Sequence, residues 1–235
     1  MIGLAAGYTT TDVDLDATAG NLDVEGWSVS GPYGTYQTPA GLYVDGIVTL
    51  GWNDYEMTRR IDYRFTDRTG ASRRVNQTAL GETAGRWYAA SVGLGYDWQR
   101  RAWTLGPLLR VSYTRVDIDG FTEAVVFNPG NTEVGQHLTI DGQDLESLTT
   151  AVGVQMAYAL STPLGVLLPQ AQLEWEHEFE NDSRTLVARY VGDPGATPLR
   201  LRTDAPDRDF FNLGVGLTAT LPLRHFGLCA LPDGP

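Results

Sequence analysis

No lysine occurs in these 235 residues; all 17 basic side chains are arginine, against 29 acidic ones, for a net charge of -12. So acidic a chain lacks the basic stripe that a nucleic-acid partner requires. Its one cysteine, Cys229, excludes an internal disulfide framework, and no Cys/His spacing suggests zinc. The opening MIGLAAGYTTTD lacks the basic start, long apolar core and cleavage site of a secretory leader. No run approaches 18 consecutive apolar residues, so no helical membrane span is expected. That exclusion does not reach membrane spans made of strands.

What is present is an alternation of period two. In RWYAASVGLGYDWQ the even positions are Tyr88, Ala90, Val92, Leu94, Tyr96 and Trp98, while the odd ones are small or polar. This is the pattern of a β-strand with unlike faces. It recurs in LYVDGIVTLGW, WTLGPLLRVSYT, LTTAVGVQMAY, LLPQAQLEWEHEF and FFNLGVGLTATL, and earlier in IGLAAGYT and WSVSGPYGTY. Eight strands are therefore predicted, with no convincing helix between them. Short joins (Tyr36 to Leu42, Trp98 to Trp103, Tyr158 to Val166) alternate with longer ones (Tyr8 to Trp27, Trp52 to Tyr88, Tyr113 to Leu148, Phe179 to Phe211). A β-sandwich has no reason to keep that order. An up-and-down antiparallel barrel with tight turns at one end and long loops at the other keeps it by construction.

Two readings of the faces compete. In a soluble ligand-binding barrel the apolar face is the interior, and the exterior would be mostly Gly, Ala, Ser and Thr. In a membrane barrel the apolar face meets lipid and the polar face lines a lumen. Aromatic placement favours the second. Tyr33, Tyr36, Tyr96, Trp98, Trp103 and Tyr158 fall at the short-turn end; Tyr8, Trp27, Trp52, Tyr88, Tyr113, Trp175 and Phe211 fall at the long-loop end. Two belts are what amphipathic rings form at two bilayer interfaces. Ten residue steps separate Tyr88 from Trp98, roughly 33 Å along a strand, or about 25 Å of height when tilted. Pro32, Pro107 and Pro169 inside strands, and His177 on the apolar face, fit this scheme poorly.

The phrases GLYVDGIVTLGWNDYEMTRRIDY, GYDWQRRAWTLGPLLRVSYTRVDIDGFTE, LTTAVGVQMAYALSTPLGVLLPQAQLEWEHEFENDSRT and DFFNLGVGLTATLP resemble the C-terminal β-domain of bacterial autotransporters. The resemblance implies an all-β outer-membrane barrel of twelve strands threaded by a helix, anchoring a passenger domain in cis and taking part in its export. By resemblance the eight strands correspond to the third to tenth of twelve, and whether they close and insert alone stays open. Residues 1–222 are assigned to the barrel and residues 223–235, RHFGLCALPDGP with its lead-in, to an atypical tail that suggests a frameshift or a fragment.

Arg110, Gln155, Gln170, Gln172, Glu174 and Glu176 fall on the polar face. They would line the pore or hold the threading helix, with the glutamates opposite Arg110; the plainer reading is a hydrated wall with no specific role. Paired carboxylates serve general acid–base chemistry, but these are i, i+2 neighbours on a wet wall. His137, His177 and His225 stand in no Ser/Asp constellation, so the chain is expected not to be an enzyme, and no cofactor or metal is expected. Asp12, Asp14, Asp16, Asp23 and Glu25 form an acidic tip, either a solvated rim or a place for divalent cations. Arg59, Arg60, Arg64, Arg68, Arg73 and Arg74 cluster after Trp52, to meet lipid phosphates or neighbouring acidic loops. The expected partners are outer-membrane lipid, the passenger and the barrel-assembly machinery, for a monomer. A stand-alone small outer-membrane barrel acting as anchor or adhesin is the alternative function.

Overall fold

The structure, a computed structural model, describes residues 2–15, 20–132, 137–163, 165–205 and 207–220. Fifteen strands follow one another rather than the expected eight. They begin with β1 (Ile2–Leu15), β2 (Gly20–Gln37), β3 (Leu42–Thr66), β4 (Ser72–Tyr96) and β5 (Trp98–Arg100). Next come β6 (Trp103–Ile118), β7 (Phe121–Thr122), β8 (Ala124–Phe127), β9 (Leu138–Ile140) and β10 (Gln143–Tyr158). The last are β11 (Leu160–Thr162), β12 (Gly165–Glu178), β13 (Thr185–Tyr190), β14 (Leu199–Arg202) and β15 (Asp209–Thr220).

Eight of these pair consecutively and antiparallel as β1-β2-β3-β4-β6-β10-β12-β15, the up-and-down meander the alternation predicted. Among the described residues, no pairing joins β1 to β15. The other short strands lie mainly in the long connections, and four of them, β14-β13-β9-β7, make a second sheet at the long-loop end, which with β8 and the outer parts of β3 and β4 forms a cap.

Cross-strand partners share a face, so register assigns the sides directly. Tyr8, Trp27 and Trp52 are successive partners on the apolar face, as are Val48, Ala90 and Tyr113 below them. That face leaves large apolar side chains in the open: Val92 and Val154 are each 59% exposed, Leu173 51%. The fully buried side chains, Val75 and Gln77, lie instead beyond the belts in the outer part of β4. The molecule is apolar outside along its wall, and among the described residues its most deeply buried side chains lie at its long-loop end.

The three awkward prolines sit where a ladder is already interrupted. Pro32 falls in a register shift between Ser30 and Gly34. Pro107 lies between the last β4 partner of β6 (Leu108) and the first β5 partner (Leu105). Pro169 is one residue past the last β10 partner of β12 (Gln170). Each therefore loses little by having no N–H to donate.

The shift at Pro32 corrects one assignment. An extra residue reverses the alternation, so Tyr33 is paired with Gly3 on the polar face, not in the short-turn belt. Its ring covers Gly3, where a Cβ would lie 2.3 Å from ring atoms. Tyr36, three residues on, returns to the apolar face opposite Val44.

The join from Trp52 to Tyr88 is also not a loop. β3 and β4 each run 25 residues and turn at Asp67–Gly70. Below Trp52 the even positions of β3 are apolar. Above it the even positions are Asp54, Glu56, Thr58, Arg60, Asp62 and Arg64, and the odd ones are Tyr55, Met57, Ile61, Tyr63 and Phe65, with Asn53 and Arg59 the polar exceptions. The faces exchange polarity at the belt, because above it the outer side meets water and the inner side meets protein.

Candidate functional site: the polar face and its cap

The polar face is held concave by one contact. Gln155 of β10 donates to Tyr43 Oη of β3 at 3.0 Å and to Asp97 Oδ1 at 2.9 Å. β4 and β6 stand between β3 and β10, so in a flat sheet these strands would be about 14 Å apart. Side chains that rise perpendicular to a flat sheet would not meet across that gap; they meet because the sheet curls with its polar face inside. Gln37 Nε2 reaches the other Asp97 oxygen at 3.4 Å. Together with Gln155, Gln170 and Gln172 these groups bound a groove of about 590 Å³ at the short-turn end.

Arg110 lies midway along the same face. Its Nη1 stands 3.6 Å from Glu174 Oε1, the cross-strand pair anticipated from sequence. Gly153 lies between them in the sheet: Glu174 folds over it, and a Cβ there would come within 2.8 Å of the Glu174 Cγ and 2.4 Å of the Leu173 carbonyl oxygen. Gln172 donates to Glu174 Oε1 at 2.7 Å, Gln170 to Thr218 Oγ1 at 3.3 Å, and Asn212 to Glu176 Oε2 at 2.9 Å. The six polar residues named from sequence thus share one face, and each has a polar partner on it. Sequence reasoning missed Tyr43 and Trp87 on that face; their odd parity was the available signal.

On the apolar face the rings meet in pairs. Tyr8 and Trp27 have centroids 4.8 Å apart, Trp103 and Tyr158 4.7 Å, Tyr88 and Tyr113 6.2 Å. Trp175 is partnered with Phe211, Tyr96 with Leu42, and Trp98 with Leu105. His177 is accommodated at the long-loop end: Nδ1 stands 2.9 Å from Asp209 Oδ1, which also accepts from Trp175 Nε1 at 3.1 Å. Its ring meets Phe179 edge-on at 4.8 Å.

Three of the six arginines after Trp52 are engaged with carboxylates. Arg59 makes a two-pronged bond to Glu123, at 3.1 and 2.6 Å. Arg74 does the same to Asp62, at 3.1 and 2.9 Å, and Arg73 bonds Asp67 at 2.9 Å. Asp12, Asp23, Glu56 and Glu82 are direct partners in one row across four strands. Like charges so placed repel, and their exposure to water moderates the cost. Among the described residues, no group of three or more His, Cys, Asp or Glu could hold a metal ion. Asp16, His225 and the expected tail with Cys229 lie outside the described residues.

The tip of the β3–β4 ribbon, around Asp67–Gly70, holds carboxyls whose ionised form the fold favours. The Thr69 hydroxyl and Arg73, with the Ala71 N–H, hold the Asp67 carboxyl well below the ordinary range. Arg74 lowers Asp62, and Arg189 lowers Asp141. A carboxyl whose folded pKa lies below its unfolded value stabilises the fold above about pH 4 and loses that contribution as pH falls toward the folded value. Hydrogen exchange in residues 62–74 is expected to be level from pH 7 to pH 5, after correction for intrinsic rates. It should quicken below about pH 4, with the wall strands unaffected. Level protection down to about pH 2 would remove these carboxylates from the account of cap stability.

Residues 1–228 match the family model for the autotransporter beta-domain. The chain belongs to that family. It is accordingly an outer-membrane β-barrel translocator of the Gram-negative envelope, made for a passenger in cis. The apolar wall faces lipid, and the long-loop end, with its cap, lies outside the cell. Two relatives named Esterase EstA, from Pseudomonas aeruginosa and Pseudomonas putida, are each 27% identical over 196 residues. Those residues are 82% of this chain and 27% of each relative, so the chain spans about a quarter of their length. A third, from the trpE–trpG intergenic region of P. putida, is 28% identical over 146 residues, 61% of this chain and 23% of its own.

These relatives correct the expectation that the protein is not an enzyme. Esterases occur among proteins with this β-domain. A hydrated wall carries no sign of the activity that another part of the same polypeptide can hold, so barrel residues could not exclude it.

Proposed function

We propose that this autotransporter barrel exports and anchors an esterase passenger, acting as a monomer inserted by the barrel-assembly machinery. The inward curl of the polar face, held by Gln155 against Tyr43 and Asp97, is the observation that carries the conduit. Arg110, Gln155, Gln170, Gln172, Glu174 and Glu176 line it with groups that hydrogen-bond a passing polypeptide. The two aromatic belts set the height of the barrel in the membrane. The esterase activity is inferred from the two EstA relatives.

The test uses the full precursor in a Gram-negative host. Intact cells should hydrolyse a p-nitrophenyl ester, and added protease should abolish that activity while the barrel stays heat-modifiable. A surface passenger inert toward esters overturns the substrate class. A passenger retained inside, behind a folded barrel, overturns the conduit.

A further inference from the structure

Above the belt the side of the sheet that faces the pore axis becomes apolar. Met57 lies on the same side of β3 as Asp45 and Asn53, separated from them by even numbers of residues. With Phe121 of β7, Ile140 of β9, Leu186 of β13, and Leu199 and Leu201 of β14 it encloses a cavity of about 400 Å³. Leu199 is 41% exposed and Leu201 64%. Among the described residues β14 pairs with β13 alone, so its other edge presents unpaired backbone groups.

We propose that this cavity and the open edge of β14 receive an extended, apolar stretch of the passenger as it leaves the lumen. This rests on the translocator reading above and adds where the emerging chain first docks. Continuity of the face is the main support: Met57, at the floor of the cavity, lies on the same side of the sheet as the conduit wall, and strands of the second sheet stand over it. Amides and carboxylates dominate the lower level, with the Tyr33, Tyr43 and Trp87 rings set singly among them. The cavity above gathers apolar side chains from four strands of the second sheet around Met57. The occupant belongs to the same polypeptide: about 73% of each EstA relative (100 minus 27) lies outside the matched stretch. An added strand pairs with the free edge through its backbone and places every second side chain beside Leu199 and Leu201.

The test places the photo-cross-linker benzoylphenylalanine at position 201 of the full precursor, illuminated in cells during export. The expected product is an internal cross-link between β14 and the passenger. Adding Leu199→Asp should lower its yield about tenfold, the factor matching the lost burial of one leucine side chain; Leu199→Met should preserve it. Heat-modifiability confirms that each barrel is folded, which substitutions at such exposed positions leave intact. Cross-links to lipopolysaccharide alone, or none while the passenger reaches the surface, overturn the docking site. A precursor whose passenger never reaches the surface, with no variant introduced, overturns the translocator reading and the docking site with it.

Discussion

Replacing Arg59 by Met is expected to open the cap while leaving the barrel folded. The Glu123 carboxylate is 4% exposed and has three donors: Arg59 Nε, Arg59 Nη2 and the Leu138 N–H at 2.8 Å. Without the guanidinium it becomes an uncompensated charge in a dry place. A broken buried pair costs about 3–5 kcal/mol; because the Arg59 side chain is itself 27% exposed, the lower end, about 3 kcal/mol, applies. That corresponds to roughly a hundredfold rise in the open population. It should be read as faster proteolysis within residues 119–142, with heat-modifiability unchanged. Converting both residues to Met should restore most of the protection, since an apolar pair leaves no stranded charge. If the double variant is as protease-sensitive as the single one, packing rather than the buried charge holds the cap.

Val92→Arg should be the most damaging single change in the wall. Val92 lies between the belts, 59% exposed, with Gly46 and Val111 beside it on the same face. An arginine facing lipid at mid-depth costs about 2–4 kcal/mol. Ser91→Arg, one residue away, turns into the polar interior, where it loses the 2.9–3.0 Å class of hydroxyl contact that Ser91 makes with Ser112 (3.0 Å) and little else. Denaturant unfolding of the full-length protein in phospholipid vesicles should separate the two variants clearly. A larger cost for Ser91→Arg would mean that the faces are assigned the wrong way round, and equal costs that neither side faces lipid.

The wall was legible because each residue there meets one of two unlike solvents, and the pleat sorts them with a period of two. LYVDGIVTLGW and RWYAASVGLGYDWQ announce this without any partner in view. The same rule failed just above Trp52. Strand geometry continues through Asp54 to Thr66, but lipid is replaced by water outside and polar lumen by packed protein inside. The alternation persists with its sign reversed, which in one dimension looks like the end of a strand. Tyr33 was misplaced for a related reason: parity counts residues, and one extra residue at a bulge makes the count wrong from there on.

By itself, then, the sequence determined the meander, the apolar exterior and the polar groups around Arg110, all consequences of local chemistry repeated along each strand. Only the tertiary structure showed which side chains meet across that polar face, because Gln155 reaches Tyr43 from 112 residues away in the chain. Likewise it alone placed Glu123 against Arg59, 64 residues away. An acid in a connection becomes the key of a cap only when distant strands are brought around it, and no periodicity records such a meeting.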